Sequence, residues 1–546
     1  MNNVFSSLTD SLSKEFKKFD LDEVVSLTLS KLAKYDLQIN NLVKYNKSKF
    51  FKELIENIVN KIIESEIFQT VDKNELGFIN LSLNHTFLMN KISNTENDFK
   101  HNKSSKIIFD YGGPNIGKPL HVGHMRTLNI GRSLYNIHSF IGNEVISDIH
   151  LGDWGMPIAQ IITYLESNNI DVSTLDSSQL EVLYPQASKE YKENLKFKNR
   201  AQEINKLLNN NDEHILKIWN SIKKISIASL EENFNLLGHH FDYWLGESDV
   251  NNLIPGMIED LVKNKKVKDD DGALISTENT EPKILITKSD GSYLYITTDL
   301  ATVLYRQNNI GYDKALYIVD NRQSLHFKQL FDSIKFFNFN NLKHEHVSYG
   351  TLNDSEGNPF KTRDGGTKPL SELFNETYDY IEKINSSLDQ SIISELTNSV
   401  LTYSDLITNR KTDYKFDLEK FTNVNGKTGI YVQYSQVRAK KLLENIENQN
   451  SKLTSLILND TDKHLLSKLF LFGYFLEQSA SHNEPHHLAN YLYEISNLFN
   501  QFYENEKLSE ITNNKHISSK LFITNLFLTT SKNVMLCLGI TPVNKM

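Results

Sequence analysis

The chain has 546 residues, of which 39% are hydrophobic and 23% charged, and its formal net charge is −9. That length suits about three domains, and the composition excludes a fibre or a wholly disordered chain. The single cysteine, Cys537, excludes an intramolecular disulfide and a zinc site built from several cysteines. The negative charge does not exclude nucleic-acid binding, because phosphate contacts depend on local groups of lysine and arginine.

The first 103 residues indicate a small accessory domain of mixed α and β structure, with helices around residues 8–20 and 48–66. The first residues, MNNVFSSLTDSLSKEF, lack the apolar core of a signal peptide. No apolar run approaches the length of a membrane span. We therefore expect a cytoplasmic protein without a membrane partner.

The most informative segment is residues 106–155, which predicts a βαβ unit of a parallel sheet. Residues 106–110 and 145–151 predict its two strands. The helix between them carries apolar side chains at spacings of three and four on one face: Leu134, Ile137 and Ile141.

Two histidines stand at the mouth of that helix, in the sequence HVGH at residues 121–124. A helix N-terminus beside a glycine-rich turn offers free N–H groups and a positive dipole end, which suits a phosphate chain. His121 and His124 lie one turn apart, and Gly123 lets a flat base approach the backbone. The alternative is a pair of surface histidines. The motif GDWG at residues 152–155 weakens it, because ligands of open α/β sheets bind beyond strand ends.

The stretch from about residue 165 to 280 predicts a mostly helical, charged insertion. Residues 284–287, 293–297 and 315–319 predict strands that return the chain to the parallel sheet. Residues 104–385 thus form one predicted domain.

Residues 386–546 predict a helical domain, since they contain few glycines and prolines. Apolar residues at spacings of 4, 3, 4 and 3 place one stripe on a single helix: Leu488, Leu492, Ile495, Phe499 and Phe502. We interpret this stripe as core packing within a bundle.

Several motifs follow one another in a specific order along essentially the whole chain: PNIGKPLHVGH and GDWG, then DGSYLYITTDLA (290–301), DNRQSLHF (320–327), GNPFKTRDGGT (357–367), NRKTDYKFD (409–417) and GIYVQYSQVRAK (429–440). In this order they resemble the arginyl-tRNA synthetases, a family of class I aminoacyl-tRNA synthetases. The resemblance implies a multi-domain α/β protein. Its parts would be an N-terminal α+β domain that contacts tRNA, a Rossmann-type catalytic domain and an all-α anticodon-binding bundle.

The resemblance implies an enzyme that activates L-arginine with ATP and Mg²⁺ and transfers the arginyl group to the terminal adenosine of tRNA(Arg). In this family the first step generally needs bound tRNA, and the enzyme generally acts as a monomer. Because the reaction joins anionic groups, the protein must align them and neutralise the charge that develops.

The residues implied for ATP binding and catalysis surround the HVGH motif: Lys118, His121, Gly123 and His124. Lys361 and Arg363, in the sequence FKTRDG (360–365), would also contact phosphates. This loop departs from the KMSKS pattern of class I synthetases, because glycine stands where the second lysine is expected. Lys118 is expected to compensate. The alternatives are a solvated lysine and an exposed basic turn.

Arginine selection requires carboxylates, since the guanidinium is always charged and presents a planar fork of donors. By resemblance these are Asp299 and Glu247, and Tyr295 would share a face with Asp299 if that segment is helical. The substrate's backbone groups would meet three further residues: Asn115, Gln323 and, for the α-ammonium group, Asp110. The alternative for any one of these acids is an ordinary surface residue.

Three residues at helical spacing are candidates for tRNA binding: Tyr431, Tyr434 and Arg438. Aromatic faces and a cation suit an unstacked base, although packing inside the bundle is an equal alternative. Two other functions are weighed. A cysteinyl or methionyl enzyme would typically carry a cysteine/histidine zinc site, whereas no metal site is predicted here. A non-catalytic tRNA-binding paralogue would have lost catalytic residues that this chain retains.

Overall fold

The computed structural model describes residues 2–92, 99–100, 104–277, 283–289, 291–339, 341–358, 360, 368–444, 457–505 and 514–546. Its N-terminal part contains three helices and four strands: α1 (Asn2–Lys17), β1 (Leu27–Leu29), β2 (Leu37–Ile39), α2 (Phe51–Glu64), β3 (Phe68–Lys73), β4 (Ile79–Leu83) and α3 (His85–Ile92). The strands form an antiparallel sheet in the order β1-β2-β4-β3, and α1 packs on α2. The two predicted N-terminal helices are confirmed.

The predicted βαβ unit is present as β5 (Lys106–Tyr111), α4 (His124–Phe140) and β6 (Glu144–Asp148). Helix α5 (Met156–Ser167) follows it. The predicted apolar stripe on α4 is buried, with Leu134 and Ile137 at 0% exposure and Ile141 at 1%. Burial extends around the whole helix, however, and includes Arg126 and Arg132. The polar face that an amphipathic surface helix would leave in water is therefore covered.

The following segment begins with helices and ends with strands: α6 (Ser177–Glu193), α7 (Leu195–Asn209), α8 (Glu213–Leu237), α9 (Glu247–Val250), α10 (Ile254–Lys263), β7 (Val267–Asp270), β8 (Ala273–Ser276) and β9 (Leu285–Thr287). These three strands form a separate antiparallel sheet. The prediction that residues 284–287 join the parallel sheet is therefore wrong, although they do form a strand.

The second half of the parallel sheet and its helices are α11 (Tyr295–Tyr305), β10 (Lys314–Ile318), α12 (Ser324–Phe337) and β11 (Lys343–His346). The parallel sheet has the order β11-β10-β5-β6, so the predicted strand at residues 315–319 is confirmed. The predicted strand at residues 293–297 is wrong, because α11 begins at Tyr295. Its β-branched and aromatic residues favour a strand, but Ile296 and Leu300 are buried on one face of a helix.

The remaining elements are almost all helical: β12 (Leu352–Asn353), α13 (Leu370–Ile384), α14 (Gln390–Leu406), β13 (Tyr414–Lys415), α15 (Leu418–Phe421), α16 (Gly429–Glu444), α17 (Asp460–Phe470), α18 (Phe472–His482), α19 (His486–Asn505) and α20 (Asn514–Leu538). The predicted stripe lies on α19, and all five of its side chains are at most 2% exposed. Helices α14, α18 and α20 pack on α4, which joins the bundle to the parallel sheet. The domain boundaries themselves stay a prediction.

One described helix is long and apolar enough to cross a membrane, contrary to the expectation from the sequence. It is the segment His516–Leu538 of α20. Half of that segment is buried, and α20 packs against α4, α16, α17 and α19. We therefore interpret its apolar character as that of a core helix in the bundle.

Gly131 lets α4 lie directly against β5. A Cβ atom at this position would come within 2.3 Å of Cγ of the buried Tyr111 ring. Replacing Gly131 with alanine should therefore lower the free energy of unfolding by about 1–3 kcal/mol, as overpacking does in other cores. Gly256 on α10 is a matched control, since its Cβ would meet nothing within 4 Å. Gly256→Ala should be neutral or stabilising in the same denaturant titration.

Candidate active site

The HVGH turn follows β5, the strand that pairs with β10 on one side and β6 on the other. The chain turns to opposite sides of the sheet at this point, and such switch points form ligand crevices in open α/β folds. The rings of His121 and His124 lie 3.9 Å apart between centroids. The structure therefore brings the two predicted histidines together at the expected edge of the sheet.

The backbone N–H groups of this turn are not free, contrary to the prediction. Those of His121 and Gly123 donate to histidine Nδ1 atoms at 3.1 Å, and that of Val122 donates to the Lys368 carbonyl at 3.0 Å. The N–H groups of His124 and Met125 donate to the carbonyls of His121 and Val122. All five are consumed within the chain, so donors for a phosphate must come from side chains.

Both imidazoles supply such donors. Nδ1 of His124 accepts from the His121 N–H, and Nδ1 of His121 accepts from the Gly123 N–H. Burial lowers the pKa of His121, and it lowers the pKa of His124 to about 3. A neutral ring whose Nδ1 accepts must carry its proton on Nε2. Each ring therefore presents an Nε2–H donor.

Gly123 has a further role beside His121. A Cβ atom at Gly123 would lie 2.9 Å from Cε1 and Nδ1 of the His121 ring. The glycine therefore permits the Nδ1 contact that fixes the tautomer of His121, in addition to any approach of a base.

Lys118 lies close enough to both histidines to lower their pKa values by charge repulsion. Its Nζ atom stands 4.3 Å from the ring centroid of Tyr184 on α6. This cation–π contact holds a half-buried ammonium group beside the imidazole donors. A cation and two N–H donors thus meet at one place.

Lys361 and Arg363 lie outside the described residues. The chain on the far side of that loop is fixed to the HVGH turn, because Leu370 donates its N–H to the Leu120 carbonyl at 2.9 Å. His121 and Pro369 form an antiparallel bridge.

Glu247 begins α9, and its backbone N–H donates to the Leu151 carbonyl at 3.1 Å, just beyond β6. The pKa of the Glu247 carboxyl is raised to about 7, chiefly by burial, and the charges of Asp153 and Asp299 act in the same direction. His150 and the Trp154 N–H act in the opposite direction. A buried carboxyl that lacks a full counter-charge is a site for a cationic ligand.

Asp299 lies on α11, so the expected helical relation to Tyr295 is present. Tyr295 is 73% exposed. Burial and the charge of Glu247 both raise the pKa of the Tyr295 hydroxyl. Oδ2 of Asp299 lies 2.5 Å from Nε2 of His326 on α12. Tyr295, Asp299 and Glu247 therefore share one electrostatic neighbourhood.

Asp110, at the end of β5, is already paired. Its Oδ2 accepts from Arg306 at 2.7 Å, and the same guanidinium reaches Oδ2 of Asp148 at 2.6 Å. Burial raises the pKa of Asp110, while Arg306 opposes that shift. A substrate ammonium group would have to share this carboxylate with Arg306.

Asn115 and Gln323 are both exposed. Asn115 forms a parallel bridge with Gly152, where a Cβ would come within 2.1 Å of the Asn115 Oδ1. Gln323 ends a short 3₁₀ turn and caps α12. Because Gly152 of the GDWG motif has no Cβ atom, the Asn115 side chain can lie beside the strand ends.

Sequence reasoning missed the residues that hold the acids in place. From the sequence no role was assigned to Arg306, His150 or His326, although His326 stands in DNRQSLHF and His150 lies two residues before GDWG. Asp153 was not assigned either. Its carboxylate accepts from Lys223 on α8 at 2.6 Å and from the Ser248 hydroxyl on α9 at 2.6 Å, which ties both helices to the GDWG segment. The sequence offered one signal for His150 and His326, which is that they lie within or beside the motifs named above.

Tyr431, Tyr434 and Arg438 lie on α16, as predicted. The Arg438 guanidinium stands 4.7 Å from the rings of both Tyr434 and Tyr503, and both rings are partly exposed. It also donates to the Tyr434 hydroxyl and to Asn500 Oδ1, each at 2.9 Å. Tyr431 donates to Asn497 at 3.3 Å and faces the bundle. Tyr434 is thus exposed at the surface, whereas Tyr431 and Arg438 are half-buried.

Among the described residues, one group of three could hold a metal ion: Glu484, His486 and His487. It lies at the start of α19, outside the parallel sheet. Lys411 already stands 3.4 Å from the Glu484 carboxylate, which disfavours an additional cation there. We assign no metal to this group.

The parallel sheet with its paired histidines and the appended helical bundle define the class of protein, which is the class I tRNA synthetases. The family model for tRNA synthetases class I (R), catalytic domain, matches residues 86–418. The model for the DALR anticodon binding domain matches residues 432–546.

Individual relatives agree. The chain is 33% identical to an arginine–tRNA ligase of Francisella tularensis subsp. novicida, covering 92% of this chain and 93% of that protein. It is also 33% identical to an arginine–tRNA ligase of Agathobacter rectalis, covering 97% of each. An arginyl-tRNA synthetase crystal structure from Plasmodium falciparum has a TM-score of 0.82 and 26% identity, covering 99% of both chains. The chain belongs to the arginine–tRNA ligase family.

Proposed function

We propose that this protein is an arginine–tRNA ligase, which forms arginyl-adenylate from L-arginine and ATP and transfers the arginyl group to the terminal adenosine of tRNA(Arg). AMP and pyrophosphate are the other products. The observation that carries the proposal is that two carboxyls, Glu247 and Asp299, lie in one partly buried neighbourhood, close enough for the charge of Asp299 to raise the pKa of Glu247. Membership of the arginine–tRNA ligase family supports it.

We assign the ATP phosphates to the Nε2–H donors of His121 and His124 and to the ammonium group of Lys118. The arginine carboxylate attacks the α-phosphate, and negative charge grows on the phosphate oxygens as pyrophosphate leaves. Fixed donors in a partly buried site stabilise that charge without reorganising. Lys361 and Arg363 remain proposed contacts for the departing phosphates. Mg²⁺ would enter with the ATP phosphates, as is usual for this ion, so no protein ligand is assigned to it.

We assign the arginine guanidinium to Glu247 and Asp299, with Tyr295 beside them. Two carboxylates match the planar fork of donors and supply the negative charge that a guanidinium requires. Asn115 and Gln323 are assigned to the backbone groups of the substrate. Asp110 is assigned to the α-ammonium group of the substrate, which would share this carboxylate with Arg306.

The direct test is attachment of labelled arginine to total tRNA in the presence of ATP and Mg²⁺, beside the other nineteen amino acids. The complete reaction is preferable to a test of the first step alone, because enzymes of this family generally need tRNA for activation. Attachment of arginine alone is the expected result. Binding of tRNA without attachment of any amino acid would instead indicate a non-catalytic paralogue.

The KM for arginine should fall as the pH is raised from about 6 to about 8. Glu247, with a pKa of about 7, is protonated at the lower pH, and a guanidinium can bind only after that proton leaves. The dependence should approach tenfold per pH unit for each such group below its pKa. Glu247→Gln should bind arginine weakly and show a shallower pH profile. An equally steep profile in that variant would remove Glu247 from the pocket.

Replacing Arg438 with methionine should weaken tRNA binding by about 5- to 150-fold, because a base stacked on such a surface contributes about 1–3 kcal/mol. The measurement is a binding titration with tRNA(Arg) at fixed ionic strength. Lys335→Met on α12 removes the same charge at an exposed position and is the control. Equal weakening in both variants would mean that only overall charge matters.

The monomeric state stays a prediction from the family resemblance, and the cytoplasmic location stays a prediction from the sequence. Sedimentation of the purified protein at micromolar concentration tests the first of them.

A further inference from the structure

His326 contacts Asp299, and the binding proposed above for ATP and arginine assigns no role to this histidine. Its Nε2 lies 2.5 Å from Oδ2 of Asp299, and the two side chains are 29% and 28% exposed. The residues stand on different helices, α12 and α11, which pack against each other. This bond therefore connects the helix that carries Asp299 with the helix that directly follows Gln323.

Only one oxygen of the Asp299 carboxylate is engaged. Within the part of the chain that the structure describes, no residue donates a hydrogen bond to Oδ1. A carboxylate held at one oxygen cannot rotate freely, and its other oxygen remains available to a donor from outside. That arrangement suits a carboxylate that must meet a planar guanidinium in one orientation.

The charges around the pair favour the same interpretation. His326 faces Asp299 on α11 and His346 on β11, while Asp299 faces Glu247 on α9 and Tyr317 on β10. Burial lowers the pKa of His346, and it raises the pKa of the Tyr317 hydroxyl, so both are neutral near pH 7. Asp299 raises the pKa of His326 through their hydrogen bond. Asp299 thus favours the protonated, cationic form of His326 while arginine is absent.

We propose that His326 is a positioning residue for arginine: its Nε2–H holds Oδ2 of Asp299 and leaves Oδ1 to accept from the guanidinium of the substrate. This inference rests on the proposed function. When arginine binds, its charge replaces that of the imidazolium, and His326 remains as a neutral donor after losing its proton to solvent. Arginine binding then releases a proton from His326 in addition to the proton from Glu247.

Two substitutions separate positioning from simple packing. His326→Leu removes the donor, whereas the side-chain amide of His326→Gln places a neutral N–H near the position of Nε2. The KM for arginine should rise about 10- to 100-fold in H326L, which corresponds to the loss of a hydrogen bond to a charged group. The kcat and the KM for ATP should change less than about threefold. H326Q should recover most of the lost affinity.

The pH profile gives a second readout that a packing role would not alter. In the unaltered enzyme, Glu247 and His326 both release protons, so log KM should fall more steeply between about pH 6 and 8 than one group allows. In H326Q only Glu247 remains, and the profile should become shallower. His346→Gln is the matched control, since His346 contacts the Val319 carbonyl and not Asp299. It should keep both the KM and the slope.

The outcomes are distinguishable from failure of the proposed function, which would appear as no arginine attachment by the unaltered enzyme. If that enzyme attaches arginine and H326L keeps its KM, the positioning role is overturned. It is also overturned if H326Q is as impaired as H326L and both melt at a lower temperature, because His326 would then act in packing. Recovery in H326Q with an unchanged melting temperature supports the proposal.

Discussion

Replacing Asp299 with alanine should lower kcat/KM for arginine attachment by about 30- to 4,000-fold. The change removes one carboxylate of a partly buried charge pair and leaves the guanidinium without its second partner, a loss of about 2–5 kcal/mol. The affinity for ATP should be retained, because the histidine pair and Lys118 lie on other elements. The measurement is initial-rate attachment of arginine at varied arginine and at varied ATP.

Two further variants sharpen that result. Asp299→Asn keeps the size and one acceptor oxygen but removes the charge, so it should discriminate less between arginine and its uncharged isostere citrulline. Asp332→Asn removes an acid from the exposed face of α12 and should behave as the unaltered enzyme does. Unchanged arginine selectivity in both Asp299 variants would remove this residue from the pocket.

Replacing Asp405 with alanine should lower the free energy of unfolding by about 3–5 kcal/mol, the usual cost of leaving one charge of a buried pair without its partner. Oδ1 of Asp405 on α14 accepts from Arg126 on α4 at 2.9 Å, and the two side chains are 0% and 1% exposed. Arg126 also donates to the carbonyls of Gly350 and Thr412. Denaturant titration followed by fluorescence and by arginine attachment measures the loss.

A paired replacement tests the cause. Arg126→Met with Asp405→Leu removes both charges and replaces them with apolar side chains of similar length. This double variant should be more stable than Asp405→Ala, because no uncompensated charge remains buried. If the double variant is less stable than Asp405→Ala, the bonds from Arg126 to the two carbonyls outweigh the pair.

The sequence predicts those parts of the fold that depend on local periodicity. The strands of the βαβ unit, helix α4 and the stripe on α19 follow from spacing alone. By contrast, the segment that contains Tyr295 has a strand-like composition and forms a helix, because its neighbours bury one helical face. Residues 284–287 do form a strand, but no local pattern states which sheet a strand joins.

The candidate site likewise has one part that the sequence predicts and another part that it does not. The sequence predicts its histidines, lysine and acids as members of motifs. It cannot predict partners that lie far along the chain, such as Arg306 for Asp110, which are separated by 196 positions. Nor does it predict that the Val122 N–H of the HVGH turn is consumed, because that depends on the Lys368 carbonyl arriving beside it. Those features arise only when the distant segments pack.

Helix α4, enclosed between the parallel sheet and the bundle, also imposes an order on biosynthesis. Its Ser133 hydroxyl donates to the carbonyl of Cys537, 404 positions later. At about 5–20 residues per second, translation needs roughly 20–80 s to cover that distance. During this interval the bundle does not yet cover its side of α4. Strands β5 and β6 and the two histidines, by contrast, are already synthesised. The parallel sheet is therefore synthesised before the bundle that covers α4, and this side of the helix is accessible to chaperones while the ribosome is still translating.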